Sequence, residues 1–214
     1  MTVLLGARNS KLGEASAGIL RGEAIDVVTR ALDLLKEETI LAAADWIASE
    51  YGRLDVLVNN AGIVDGGDGP PSSADLDAVR RLFDVNFFGT LAVTKAMLPL
   101  IRKAKAGRIV SLSSGMGSLT LNSDPTWVFA KYKMLGYCGS KAAVNMMTVQ
   151  LAYELRDTAI KVNAVHPEFT PTDATGHQGT QTLEEGAAEA VRLALLADDG
   201  STGGFTETGA NIPW

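Results

Sequence analysis

The sequence predicts an α/β domain built on a doubly wound parallel sheet. Short β-rich apolar runs alternate with longer stretches of helical periodicity along the chain. The runs are apolar on both faces, so the strands need helices above and below them. Gly/Pro-rich segments such as 64–73 follow strand ends, and in such folds ligands lie beyond the carboxyl ends of the strands.

Taken in order, "TVLLGA" (2–7) reads as a strand, with a turn at 8–12 and a helix over about 11–21. "AIDVVTRALDL" holds a strand ending near Asp33, and a helix follows to about Tyr51. "LDVLVNN" is a strand, and one long helix is expected between Ala74 and Ala104. "GRIVSLSS" is a strand, and a helix runs from about Leu135 to Arg156. "IKVNAVHP" is the next strand, Leu183–Leu196 the last helix, and "GGFTE" a short final strand. Segments 64–73 and 115–134 read as irregular, the second long enough for a functional connection. No repeat or linker divides the 214 residues, which form one domain.

Composition narrows the function classes. A net charge of −6 without any Lys/Arg cluster argues against nucleic acid as a partner. The single Cys138 excludes an internal disulfide framework and suits a reducing compartment. No apolar run is long enough to span a bilayer, and the opening lacks the basic segment of a signal peptide. The expectation is a cytoplasmic protein.

Three residues form the strongest chemical pattern. "YCGSK" puts Tyr137 and Lys141 four apart, on one face of a helix. An ammonium beside a phenol favours phenolate and brings the Tyr pKa toward working pH. Such a tyrosine exchanges a proton with a carbonyl or alcohol oxygen. Ser114, at a strand end, can hold that oxygen. The bland alternative is a solvated helix face. "NNAG" (59–62) permits a tight turn against a ligand, or is a plain strand-to-helix turn. Asn86, amid an apolar helical run, either is satisfied by backbone or holds a water behind the lysine. His166 and His177 have no carboxylate or serine patterned around them, so they read as structural or exposed. Cys138 reads as packing, and no grouping has metal-ligand spacing.

"NNAG", Asn86, "SLSS", "YCGSK" and "VNAVHP" come in the order and rough spacing of the short-chain dehydrogenase/reductase family, which the chain resembles over nearly its whole length. The resemblance implies a Rossmann-like fold and hydride transfer between NADP(H) and a small carbonyl or alcohol substrate. It makes Tyr137 the acid/base and has Lys141 lower its pKa and bind the nicotinamide ribose. Ser114 orients the substrate oxygen, and Asn86 completes a proton relay. "GAR" after the first strand is similar to the NADPH-preferring carbonyl-reductase branch. There Arg8 sits at the adenosine 2′-phosphate, a group suited to a fork of cationic donors. Asp33 and Leu34 flank the adenine, and Asn60, Ala61, Gly62 and Pro167 line the rest of the cofactor. Trp127, Phe129 and Phe169 suggest an apolar substrate wall, and a homo-oligomer is compatible with the family.

The chain departs from the family pattern in three places. The family opens with a strand, a turn Thr-Gly-x-x-x-Gly-x-Gly and a helix, which bring N–H groups to the pyrophosphate. That first βα unit is missing, so the domain (1–214) reads as N-terminally incomplete. "GARNSKLG" is a poor substitute. Either this stretch has shifted into the absent strand's place, or two apolar strand edges stand open to another chain. Second, Glu168 follows Pro167 where the family has glycine. Third, the interval from Ser114 to Tyr137 is longer than the family's usual one. These departures support an alternative function, a cofactor-impaired remnant serving as a binding or assembly module.

Overall fold

The computed structural model of the chain describes residues 1–214. β1 (Val3–Ala7), α1 (Ser10–Gly22) and β2 (Val27–Ala31) form one βαβ unit, with β1 and β2 paired in parallel. α2 (Glu37–Glu50) then crosses to β3 (Val56–Asn59). A second, five-stranded sheet follows in the order β3-β4-β5-β6-β7, with β4 Arg108–Leu112, β5 Lys161–Val165, β6 Phe205–Glu207 and β7 Ala210–Asn211. All its pairings are parallel except the terminal β6–β7 hairpin. Between β3 and β4 lie α3 (Leu76–Phe83), a π-helical turn (Asp84–Gly89) and α4 (Thr90–Ile101). α5 (Leu119–Ser123), α6 (Leu135–Glu154) and α7 (Leu183–Ala194) complete the layers. No helix is long and apolar enough to cross a membrane.

No hydrogen bond joins β1 to β3. The stretch around β1 has therefore kept the place beside β2 and has not moved across to close the sheet. Val3 and Val58 remain 37% and 43% exposed, whereas all of β5 except Lys161 is buried. The two halves are held together by the helical layer. Leu4 and Leu32 from one half and Leu57 from the other pack on the same core of Ile40, Ile47, Met97, Ile101 and Ile109. Both halves also point the same way. Leu34, after β2, packs so closely on Gly89 that a Cβ there would lie 2.6 Å from its own Cβ. Ile63, after β3, bonds Asn86 in the same π turn.

Several elements are shorter than the sequence suggests. β2 ends at Ala31 because Asp33 starts an Asx turn, accepting from Leu35 N at 3.1 Å. The helix expected over 74–104 is interrupted by the π turn, and α4 stops at Ile101. α7 stops at Ala194, and the Leu196 carbonyl beyond it accepts from the buried Arg108 guanidinium at 2.6 and 2.9 Å. Segment 115–134 is not wholly irregular, since it holds a 3₁₀ turn (Gly115–Gly117) and α5.

Candidate active site

The site forms where the carboxyl ends of β3 and β4 meet α6. β4 delivers the Ser113–Ser114 pair. Ser113 N donates to Val165 O at 2.8 Å, and its hydroxyl donates to Asn145 Oδ1 of α6 at 2.5 Å. Ser114, 6% exposed, then opens the 3₁₀ turn, accepting from Met116 N at 3.2 Å. This turn lies directly on α6. A Cβ at Gly117 would sit 2.8 Å from the Lys141 carbonyl carbon, so only glycine permits the approach.

α6 brings Tyr137 against the Ser114 hydroxyl. Burial raises the Tyr137 phenol above its ordinary value, and the contact with Ser114 offsets part of that rise. Lys141, one turn on, is buried, with Nζ 5.8 Å from the Tyr137 ring centroid. Its ammonium donates to Leu112 O at 2.8 Å, and burial lowers its pKa to about 8. The net shift of the Tyr137 phenol is thus upward, with burial its largest cause. Lys141 is buried and Tyr137 half-buried, and the ammonium is turned to a backbone carbonyl.

Asn86 is 1% exposed and fully engaged. Its Oδ1 accepts from Ile63 N at 2.8 Å, and its Nδ2 donates to Ile63 O at 3.0 Å and to Ser140 Oγ at 3.1 Å. Its partners are thus largely backbone, but of a distant segment rather than its own helix. The π turn swings this asparagine inward. A Cβ on Gly62 would come 3.3 Å from Asn86 Oδ1 and 3.4 Å from Lys141 Nζ, which explains the glycine in "NNAG". Asn59 is buried, donating to Thr94 Oγ1 and Ser111 Oγ, while Asn60, Ala61 and Gly62 are exposed.

The remaining candidates spread around this centre. Arg8 is exposed and makes no ion pair. The helix start beside it is closed, because Asn9 Oδ1 takes Lys11 N at 3.0 Å and Leu12 N at 3.2 Å. Asp33 is half-buried in its turn, and Leu34 packs on Gly89. The Pro167 carbonyl accepts from Thr170 Oγ1 at 2.6 Å and from Gln181 Nε2 at 2.5 Å. Glu168 has φ +57°, so it keeps a backbone conformation that favours glycine. Trp127 packs edge-on to Phe129 at 5.4 Å, and Phe129 lies 6.3 Å from Phe169. This aromatic group borders the site through Trp127, whose ring approaches Gly115. His166 is largely buried, with its pKa lowered to about 4 by burial, and His177 is exposed beside Asp173. Burial likewise pushes the Cys138 thiol up. No group of three or more His, Cys, Asp or Glu could hold a metal ion.

Sequence reasoning missed Asp68. Its carboxylate accepts from Gly136 N and Tyr137 N, both at 2.8 Å. The sequence shows an Asp between glycines after a strand end, but nothing local ties it to α6.

The fold is a Rossmann-like α/β domain in which Ser114, Tyr137 and Lys141 converge at the carboxyl ends of the strands. A short chain dehydrogenase family model matches residues 1–183, and the chain belongs to that family. It is 34% identical over 197 residues to short-chain dehydrogenase anuI of Penicillium roqueforti, covering 90% of this chain and 77% of that protein. It is 30% identical over 250 aligned positions to carbonyl reductase (NADPH) 1 of Mus musculus, covering 99% and 88%. Among solved structures, NADPH-bound carbonyl reductase from chicken fatty liver superposes with a TM-score of 0.86 at 24% identity, over all of this chain and 88% of the other. The family comprises oxidoreductases that use nicotinamide cofactors and act on small molecules.

Proposed function

We propose that the chain is a carbonyl reductase-type oxidoreductase whose proton-transfer half is complete and whose cofactor-holding half is weak. The observation that carries this is the convergence of Ser114, Tyr137, Lys141 and Asn86 at the ends of β3 and β4, beside an open interval between β1 and β3. The relatives named NADPH-dependent and the exposed Arg8 favour NADP(H), with the guanidinium on the adenosine 2′-phosphate.

The residues fit one end of that cofactor and not its middle. Gly62 leaves bare backbone beside Lys141 Nζ, and Lys141 has a single protein acceptor, so its remaining N–H donors suit a ribose. For the pyrophosphate the fit fails. α1 spends its first N–H groups on Asn9, and no turn spans the interval between β1 and β3. A bound reduced nicotinamide would supply a hydride. Ser114 holds the substrate carbonyl oxygen, and Tyr137, kept protonated by burial, gives it a proton. Lys141 steadies the phenolate left behind. Asn86 fixes Ile63 and so the 60–63 turn. The aromatic group of Trp127, Phe129 and Phe169 suits an apolar carbonyl.

A second reading, a binding or assembly module without turnover, is favoured by the same open interval. The two part on one experiment. With NADPH in large excess and a simple aryl ketone, the reductase reading gives slow turnover that Tyr137→Phe abolishes. Turnover unchanged by Tyr137→Phe, or none at any NADPH concentration, removes the reductase reading.

A further inference from the structure

We propose that Asp68 is a positioning residue that sets where Tyr137 presents its phenol; this rests on Tyr137 being the proton donor. α6 begins without a side-chain cap of its own, for its preceding residue is Met134. An α-helix leaves its first backbone N–H groups without intrahelical partners. Here the first three are all taken by two consecutive residues of a distant loop. Leu135 N donates to Gly69 O at 2.9 Å, Gly136 N to Asp68 Oδ1 at 2.8 Å and Tyr137 N to Asp68 Oδ2 at 2.8 Å. Only at Cys138, donating to Met134 O at 2.9 Å, does the helix's own ladder begin.

A carboxylate here is stronger than a neutral cap, because it makes charge-assisted bonds and faces the positive end of the helix. It is also rigidly held. Gly69 N donates to Asp68 Oδ1 at 2.9 Å, and Asp75 N to Gly67 O at 3.0 Å. One residue pair back, Arg81 Nε donates to Asp65 Oδ2 at 2.8 Å, tying the loop to α3. The helix start is pressed onto α3 as well. A Cβ at Gly136 would lie 2.7 Å from Leu82 Cδ1, 3.1 Å from Val79 Cα and 3.2 Å from Asp68 Oδ1. The Tyr137 backbone is thus located by Asp68 from one side and α3 from the other. The Asp68 charge also reaches the neighbouring Cys138, adding to the effect of burial in raising its thiol.

The test compares the parent chain with Asp68→Ala and Asp68→Asn. Amide exchange at Gly136 and Tyr137 speeds up about tenfold in Asp68→Ala, the order expected for a lost cap, with β4 and β5 unchanged. Labelling of Cys138 by a thiol reagent speeds up in parallel. Under NADPH excess, kcat falls about tenfold or more while KM for NADPH stays within about twofold, as expected when a reacting group is misplaced. Asp68→Asn keeps one acceptor oxygen and falls between. Parental exchange at residues 136 and 137 in Asp68→Ala overturns the proposal, as does parental kcat. If the parent chain itself has no turnover, the functional reading fails, and the exchange measurement still decides whether Asp68 holds the helix start.

Discussion

Asn86 grips Ile63 at two points, taking its N–H on Oδ1 at 2.8 Å and giving an Nδ2 hydrogen to its carbonyl at 3.0 Å. The side chain is buried, so water cannot replace either bond. Asn86→Ala is expected to cost about 2 kcal/mol or more, since a buried polar group left unpaired costs roughly 1–3 kcal/mol. Urea denaturation measures this. A loss below about 0.5 kcal/mol, the range of ordinary surface changes, would contradict the clamp.

Lys141 links stability to pH. Its pKa in the folded chain is about 8, below the ordinary 10.5, because it is buried. Between those values the unfolded chain binds more protons, so stability rises with pH through that window. The cost of the buried ammonium is fully present below about pH 8 and amounts to about 3 kcal/mol at 1.36 kcal/mol per unit. Lys141→Met should therefore stabilise the chain at pH 7 and do so much less near pH 10.5. Equal effects at both pH values would show that Lys141 is not charged against its surroundings.

Glu168 offers a gain of function. A side chain at φ +57° is strained, and Glu168 also lies near enough to Glu207 to raise its pKa further above the effect of burial. Glu168→Gly should raise stability by about 1 kcal/mol, the cost of the left-handed conformation for an L-residue. The repulsion needs both carboxylates charged, so the gain shrinks once Glu207 is protonated at low pH. It should also tighten NADPH binding, by removing a negative charge and a side chain beside Pro167. A melting temperature unchanged or lowered at neutral pH would refute the strain.

Arg8 should set the choice between cofactors. Arg8→Ala is expected to weaken NADPH binding by roughly 1.5–3 kcal/mol, the contribution of a charge-assisted bond, and to leave NADH binding as it was. Competition assays with both cofactors read this directly, and equal losses would make Arg8 an ordinary surface residue.

The order of strands and helices was legible because strands buried on both faces write continuous apolar runs. Tyr137 and Lys141 were legible because a helix places residues four apart on one face. Four features were not. The π turn at Asp84–Gly89 is six residues, too short to write a period of its own inside a helical pattern, so only the inward Asn86 betrays it. The bond from Asp68 to Tyr137 spans 69 residues, and no local pattern reports a cap lent by a distant loop. The surroundings of the pair were not legible either, since spacing shows that a lysine is near the tyrosine but not that the lysine is buried, nor that its ammonium bonds Leu112 O. Whether the opening strand keeps its place beside β2 or shifts toward β3 was not legible in the sequence, and the strand pairings decide for the former.

The central claim is that a complete proton-transfer centre stands beside a weakened cofactor site. Titrating the purified 214-residue chain with NADPH, followed by intrinsic Trp fluorescence, tests it most directly. The account predicts binding far weaker than micromolar and little turnover, because Asn9 closes the α1 terminus and nothing between β1 and β3 cradles a pyrophosphate. Micromolar or tighter binding, with steady turnover of a simple aldehyde or ketone, would contradict it and show that residues 6–13 do the work of a phosphate loop.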